Sequence, residues 1–256
     1  MFKIKAFAIR NVKELMRDPL SYIFCLGFPI VMLIVMTLVN ESIPKEAGMT
    51  IFRIDNLSGG IAVFGQTFVM LFTALTVSKD RSGAFLVRMY ASPMRSADFI
   101  GGYILPMTAV SAIQAAAAFS ASLVIALITK SSLSITGLIA AVISTLPSAV
   151  MFISFGLLFG SLFSEKSAPG LCSLIISLGS FLGGIWFDAE TTGGVMLKLC
   201  KALPFWYCTK TARSAIALDF GFDEFWFPLI IVLICSAAVS TAAAFSFKSK
   251  MKADLS

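Results

Sequence analysis

Six stretches of this chain run without a charged residue for longer than a membrane crossing requires: 19–40, 56–78, 99–129, 131–164, 167–187 and 225–247. A helix crosses the hydrocarbon core with about 20 predominantly apolar residues. In lipid the backbone must satisfy its own hydrogen bonds, which leaves helices and closed barrels as the only spanning structures. Barrel strands would show as short alternating segments, so the uninterrupted windows predict an all-α membrane protein with six transmembrane helices. Composition agrees: 58% of residues are hydrophobic and 13% charged, against about 25% charged in soluble domains. A soluble globular enzyme is excluded. The chain also has no histidine, which removes His-based zinc sites, His general bases and Ser-His-Asp triads.

Lys and Arg sort the connections into two groups. Six spans place both termini on one side. That side, with the polar stretch after span 2 and Lys166, carries 13 of the 20 basic residues. The positive-inside rule makes it cytoplasmic. The net charge of +6 follows from that bias and from contact with anionic lipid; it calls for no nucleic-acid partner. The basic start runs into an apolar stretch of spanning length without an A-x-A-like site, so the first span reads as retained rather than cleaved. No repeat, low-complexity tract or composition break divides residues 1–256, which read as a single transmembrane domain in the plasma membrane, of bacterial type.

Before the first span, residues 2–18 form an amphipathic pattern. Ile4, Phe7, Ala8, Val12, Leu15 and Met16 gather on one side of a helical wheel, and Lys3, Arg10, Lys13, Glu14 and Arg17 on the other. This predicts a helix lying in the cytoplasmic interface, as an anchor or as a docking element. Asp18-Pro19 ends it. Pro29 predicts a kink in span 1. After span 2 the chain is polar over 79–98: a short helix, a Ser92-Pro93 turn and a restart. Spans 4 and 5 carry Gly156-x-x-x-Gly160 and Gly179-x-x-x-Gly183, either packing seams within the chain or a dimer seam. Segment 185–224 holds apolar pieces too short to cross, which suit re-entrant or interfacial helices. Trp186, Trp206, Tyr207 and Trp226 bracket it as an aromatic belt. Cys200 and Cys208 share this segment, as a pair or as two free thiols.

Chemistry is sparse within the spans. None carries a central charge, which argues against a proton-coupled carrier. Gln66 and Gln114 are polar span residues, suited to interhelical hydrogen bonds or to a substrate path. No G-x-x-x-x-G-K-[ST] loop is present, no carboxylate pair or cysteine–base arrangement suggests a membrane-embedded hydrolase, and no metal or catalytic residues are expected.

An amphipathic entry helix, six spans, a polar helix between spans 2 and 3 and broken apolar pieces before span 6 together resemble the permease subunit of an ABC-2-type transporter. The motifs that carry the likeness are Lys79-Asp80-Arg81-Ser82-Gly83, then Leu86, Arg88, Ser92-Pro93 and Gly101 or Gly102. Leu203-Pro204 with Arg213 adds to it. Many members have glutamates flanking the arginine; here Lys79 and Asp80 precede it and Ser82 follows. The resemblance implies a homo- or heterodimer of permease chains bound to separate ABC ATPase subunits. Those subunits would bind ATP and Mg, leaving this chain without a cofactor and without enzymatic activity. It implies coupling to the ATPase through Lys79, Asp80, Arg81, Gly83, Arg88, Ser92 and Pro93, where the bare residues alone read as a solvated loop. Spans rich in Phe, Met, Ser and Thr suit export of an amphipathic or apolar compound such as a drug or antibiotic. Export of a lipid-linked polysaccharide and a stand-alone, gradient-driven carrier are the alternatives.

Overall fold

A computed structural model describes residues 2–44, 50–83, 85–86 and 96–253. Helix α1 (Phe2–Met16) leads into α2 (Pro19–Ser42), followed by α3 (Ile54–Ser82), α4 (Ser96–Ile128), α5 (Ile135–Leu162) and α6 (Ala168–Leu182). Three short helices come next, α7 (Ala189–Thr192), α8 (Gly194–Ala202) and α9 (Pro204–Ala217), and then α10 (Phe222–Lys250). There is no strand among the described residues. At the α1–α2 corner the Asp18 carboxylate accepts the Leu20 amide at 3.2 Å and the Ser21 hydroxyl at 2.8 Å, capping the new helix as Pro19 enters its first turn.

Five helices, α2 to α5 and α10, are long and apolar enough to cross a membrane. The sixth predicted span differs. In window 167–187 the helix is only 15 residues long, about 22 Å at 1.5 Å per residue, against a core of about 30 Å. It stops because Gly183 and Gly184 turn the chain, Gly184 with φ +64°, a region open to glycine at little cost. The Thr209 hydroxyl closes the turn onto the Gly183 carbonyl.

Prolines set the irregularities within the long helices. Proline lacks an N–H, and its ring collides with the carbonyl four residues back. Ahead of Pro29 the helix widens into a π turn over Ile23–Gly27, with the Phe28 amide bonded to the Ile23 carbonyl. Ahead of Pro228 the same device recurs over Phe222–Trp226, with Phe227 bonded to Phe222. Both precede a Phe-Pro pair, and both relieve the collision by adding a residue to one turn. Pro147 instead breaks α5 at Thr145, between segments Ile135–Ser144 and Leu146–Leu162. Gln66 satisfies that break: its Nε2 donates to the Thr145 carbonyl at 3.0 Å, and its Oε1 accepts from the Ser148 hydroxyl at 2.7 Å.

Helix α3 is the centre of the bundle. In its apolar window 83% of residues are buried, against 17% in α2 and in α10, so α2 and α10 are the helices left mostly to lipid. The second half of α5 packs along α3 through Gly156 and Gly160. A Cβ on Gly156 would meet the Met70 carbonyl, and one on Gly160 would sit 2.7 Å from the Ala74 carbonyl. This glycine pair is a seam within the chain. Gly179 faces the Phe205 ring, also inside the fold. Hydroxyl pairs Ser154–Ser240 (2.8 Å) and Ser161–Ser246 (3.1 Å) join α5 to α10.

Segment 185–224 departs from the aromatic-belt expectation at two of its residues. Helix α9 is buried along Phe205, Trp206, Tyr207 and Cys208. Trp206 is 7% and Tyr207 9% exposed, because α9 packs against α3, the first half of α5 and α10 rather than lying at a lipid surface. Trp226 is 50% exposed. Cys200 and Cys208 are buried and unbonded.

Candidate functional site

The last turn of α3 presents three charged side chains in sequence, and each goes to a different environment. Lys79 is exposed, Asp80 buried and Arg81 half-buried. A buried carboxylate is costly unless paired and hydrogen-bonded, and Asp80 is both. Arg10 of α1 grips it with two parallel bonds, Nη1 to Oδ2 at 2.6 Å and Nη2 to Oδ1 at 2.7 Å. The Tyr103 hydroxyl of α4 donates to Oδ2 at 2.6 Å. Arg10 also pairs with Glu14 and lies 4.2 Å over the Phe85 ring, while Lys79 Nζ is 3.5 Å from Glu14. Burial alone would lower the Arg10 pKa. The bond and charge of Asp80, with Glu14, outweigh it and raise the pKa.

Two further contacts clamp α1 in place. Asn11 Nδ2 donates to the Gly102 carbonyl at 2.9 Å. The Phe7 ring lies where a Cβ on Gly102 would stand, so glycine lets α1 approach α4. On α1, Phe7, Ala8 and Asn11 are buried and Arg10 is half-buried against Asp80, while Ile9 and Met16 are exposed. The sequence carried no sign of Arg10 or Tyr103 as partners of Asp80, since Arg10 lies 70 positions away and the pairing depends on tertiary structure.

Arg81 points to a neighbouring helix end. Its Nη1 donates to the Ser161 carbonyl, with the Gly160 carbonyl at 3.4 Å, capping the C-terminus of α5, where a cation is favoured. The sequence reading placed this guanidinium in water; it is half-buried against protein. Gly83 ends α3, its amide bonded to the Lys79 carbonyl at 2.9 Å. Arg88, Ser92 and Pro93 lie outside the described residues.

The two span glutamines have unlike surroundings. Gln66 is paired at both ends of its amide at the α5 break. Gln114 is 1% exposed, and neither end of its amide, nor Ser111 Oγ one turn earlier, has a hydrogen-bond partner among the described residues. The amide rests on Gly65, where a Cβ would overlap Nε2. A buried polar group without a partner costs about 1–3 kcal/mol. Gln114→Leu is therefore expected to raise the thermal unfolding midpoint of the purified protein. A lowered midpoint would mean that the amide is satisfied in the membrane.

At the opposite end, Arg213 of α9 donates from Nε to the Asn56 carbonyl (3.0 Å) and from Nη2 to the Gly184 carbonyl (2.9 Å). It thereby joins α9 to the start of α3 and to the turn after α6. Lys210 Nζ is 3.1 Å from carboxylate oxygens of both Glu190 and Glu224.

Fold and site define a polytopic helical membrane protein in which the charged network sits at helix ends rather than inside the spans. The chain matches the ABC-2 type transporter family over residues 3–217, from α1 through α9, and belongs to that family. No curated protein matches it. It is the membrane-spanning permease of an ABC transporter, non-catalytic itself, with the ATPase in a partner subunit.

Proposed function

We propose that this permease exports an amphipathic or apolar compound, of the drug or antibiotic kind, from the cytoplasm. Two copies, or one copy and a related chain, assemble with ABC ATPase subunits that bind ATP and Mg. The chain crosses six times, α6 completing a crossing together with the packed helices that follow it, and both termini are cytoplasmic. Segment 79–98 receives the ATPase motion. The observation that supports this reading most is the Arg10–Asp80–Tyr103 cluster. It joins α1, the end of the central helix and the start of α4 into one unit, on either side of the segment that would meet the ATPase. Displacement of that segment therefore moves α3 as a lever rather than bending a free loop.

The cargo follows from spans that lack central charge and from a polar site, Ser111 and Gln114, within an otherwise apolar seam. ATP energises transport. Sealed vesicles containing the permease and its co-purifying ATPase should move substrate with ATP and not with an ion gradient alone. Transport by the permease alone on an ion gradient would overturn the proposal. Arg81→Gln should lower ATP-driven transport and also lower the unfolding midpoint, since the charge-assisted bond to the Ser161 carbonyl that it removes contributes about 1.5–3 kcal/mol within the fold. Unchanged transport in this variant would leave Arg81 as a helix cap alone.

A further inference from the structure

Helix α4 is braced near its start and unsatisfied at its middle. Pro106 lies within it and cannot donate to the Gly102 carbonyl four residues back. That freed carbonyl is the acceptor taken by Asn11 Nδ2 of α1 at 2.9 Å. Just beyond the proline, the Thr108 hydroxyl bonds back to the Ile104 carbonyl at 2.8 Å, an arrangement that loosens and bends helices. Before Pro106, α4 is tied to its surroundings, through Tyr103 to Asp80 and through Gly102 to Asn11 and the Phe7 ring. Helices kink at such prolines, and this one divides the braced start of α4 from the rest of the helix.

Beyond Pro106 the packing changes in kind. Ser111 and Gln114, each 1% exposed, lie one turn apart in the middle of α4. Gly65 of α3 gives the Gln114 amide its seat. The α3–α4 seam thus encloses a hydroxyl, an amide donor and an amide acceptor that have no hydrogen-bond partner among the described residues. The α3–α5 seam is the opposite case. There Gln66 is bonded at both ends of its amide, and Gly156 and Gly160 pack on backbone carbonyls. Parting α3 from α5 would break bonds already made. Parting α3 from α4 would lose apolar packing but hydrate three orphaned groups, which offsets part of that loss.

We infer that α4 bends at Pro106 and that the bend opens the α3–α4 seam to water at Ser111 and Gln114. The start of α4 stays with α1 and the end of α3, while the part beyond Pro106 swings away from Gly65. Water is the occupant because the groups uncovered are an uncharged donor, an uncharged acceptor and a hydroxyl, each of which one water molecule can satisfy. The bend belongs to the permease chain and depends neither on the cargo nor on the direction of transport.

The full chain carrying Ser111→Cys, in nanodiscs, treated with a small water-soluble methanethiosulfonate and read by mass spectrometry, tests it. Cys172, 0% exposed in α6, is the control within the same molecule. Position 111 is expected to react roughly tenfold or more faster than Cys172, because labelling of a buried site tracks the population that opens there. Three substitutions are then added singly to Ser111→Cys. Gln114→Leu removes what hydration would gain and should slow labelling roughly tenfold, the worth of one relieved polar group. Pro106→Ala supplies the missing donor to the Gly102 carbonyl and should slow it several-fold. Gly65→Ala should act in the opposite sense, since its Cβ would stand 1.9 Å from Gln114 Nε2 and unseat the amide; it carries the test if Pro106→Ala does not fold. Labelling at position 111 no faster than at Cys172 would overturn the inference, and so would a rate left unchanged by any of the three variants that folds.

Discussion

Asp80→Ala is expected to destabilise the permease by about 3 kcal/mol, near the lower end of what removing one partner of a buried pair costs. The Asp80 side chain is 3% exposed, while Arg10 is 32% exposed and regains some water when released. Loss of the carboxylate removes the acceptor of three hydrogen bonds, two from Arg10 and one from Tyr103. It also detaches α1 from the end of α3. Arg10→Ala should cost a similar amount, because a buried carboxylate is then left with one neutral donor. Tyr103→Phe removes a single hydroxyl and should cost about 1–1.5 kcal/mol. A double-mutant cycle read by thermal unfolding in detergent checks the pair. Arg10→Ala and Asp80→Ala together should fall short of the sum of the single effects by 1 kcal/mol or more; strict additivity would refute the pairing.

The second large effect is expected at the glycine seam. Gly156→Val should leave no folded protein, and Gly156→Ala should cost about 1–3 kcal/mol, the range for overpacking a well-filled core. The obstruction is the Met70 backbone carbonyl, which a rotamer change cannot move, with Thr73 Cβ at 2.8 Å beyond it. Gly170 is the control. It lies in α6 with nothing within 4 Å of a built Cβ, so Gly170→Ala should stabilise by roughly 0.5–1 kcal/mol through helix propensity alone. Monodisperse recovery by fluorescence-detected size exclusion, with melting of the recovered fraction, reads both. If Gly156→Val folds and only its oligomeric state changes, the seam lies between copies and not between α3 and α5.

The long spans were legible because a charge-free window of spanning length needs no partner to be recognised. The fifth window shows the limit of that signal. Absence of charge at 167–187 does not reveal where a helix ends, and Gly183-Gly184 with the Thr209 cap ends it early. The burial of α9 was equally hidden: Trp206 and Tyr207 look like interface residues until α3, α5 and α10 are seen around them. The proline irregularities were half legible. Pro29 announced a disturbance, but not that it would be a π turn repeated at Pro228, nor that Gln66 would satisfy the break at Thr145. At the site, the motif pointed to Asp80 and Arg81 but not to their partners, since a carboxylate held by Arg10 and an arginine capping Ser161 are products of tertiary packing. That packing makes the end of α3 a braced helix end rather than a solvated loop.

The central claim is that the ATPase subunit engages the segment continuous with this braced helix end. A photo-crosslinking residue placed at position 88 of the permease, in native membranes, tests it most directly. The account predicts an adduct between the permease and an ATPase subunit from position 88, and none from position 45 on the opposite side. An ATPase adduct from position 45, or its absence from position 88 in a complex that hydrolyses ATP, would contradict it.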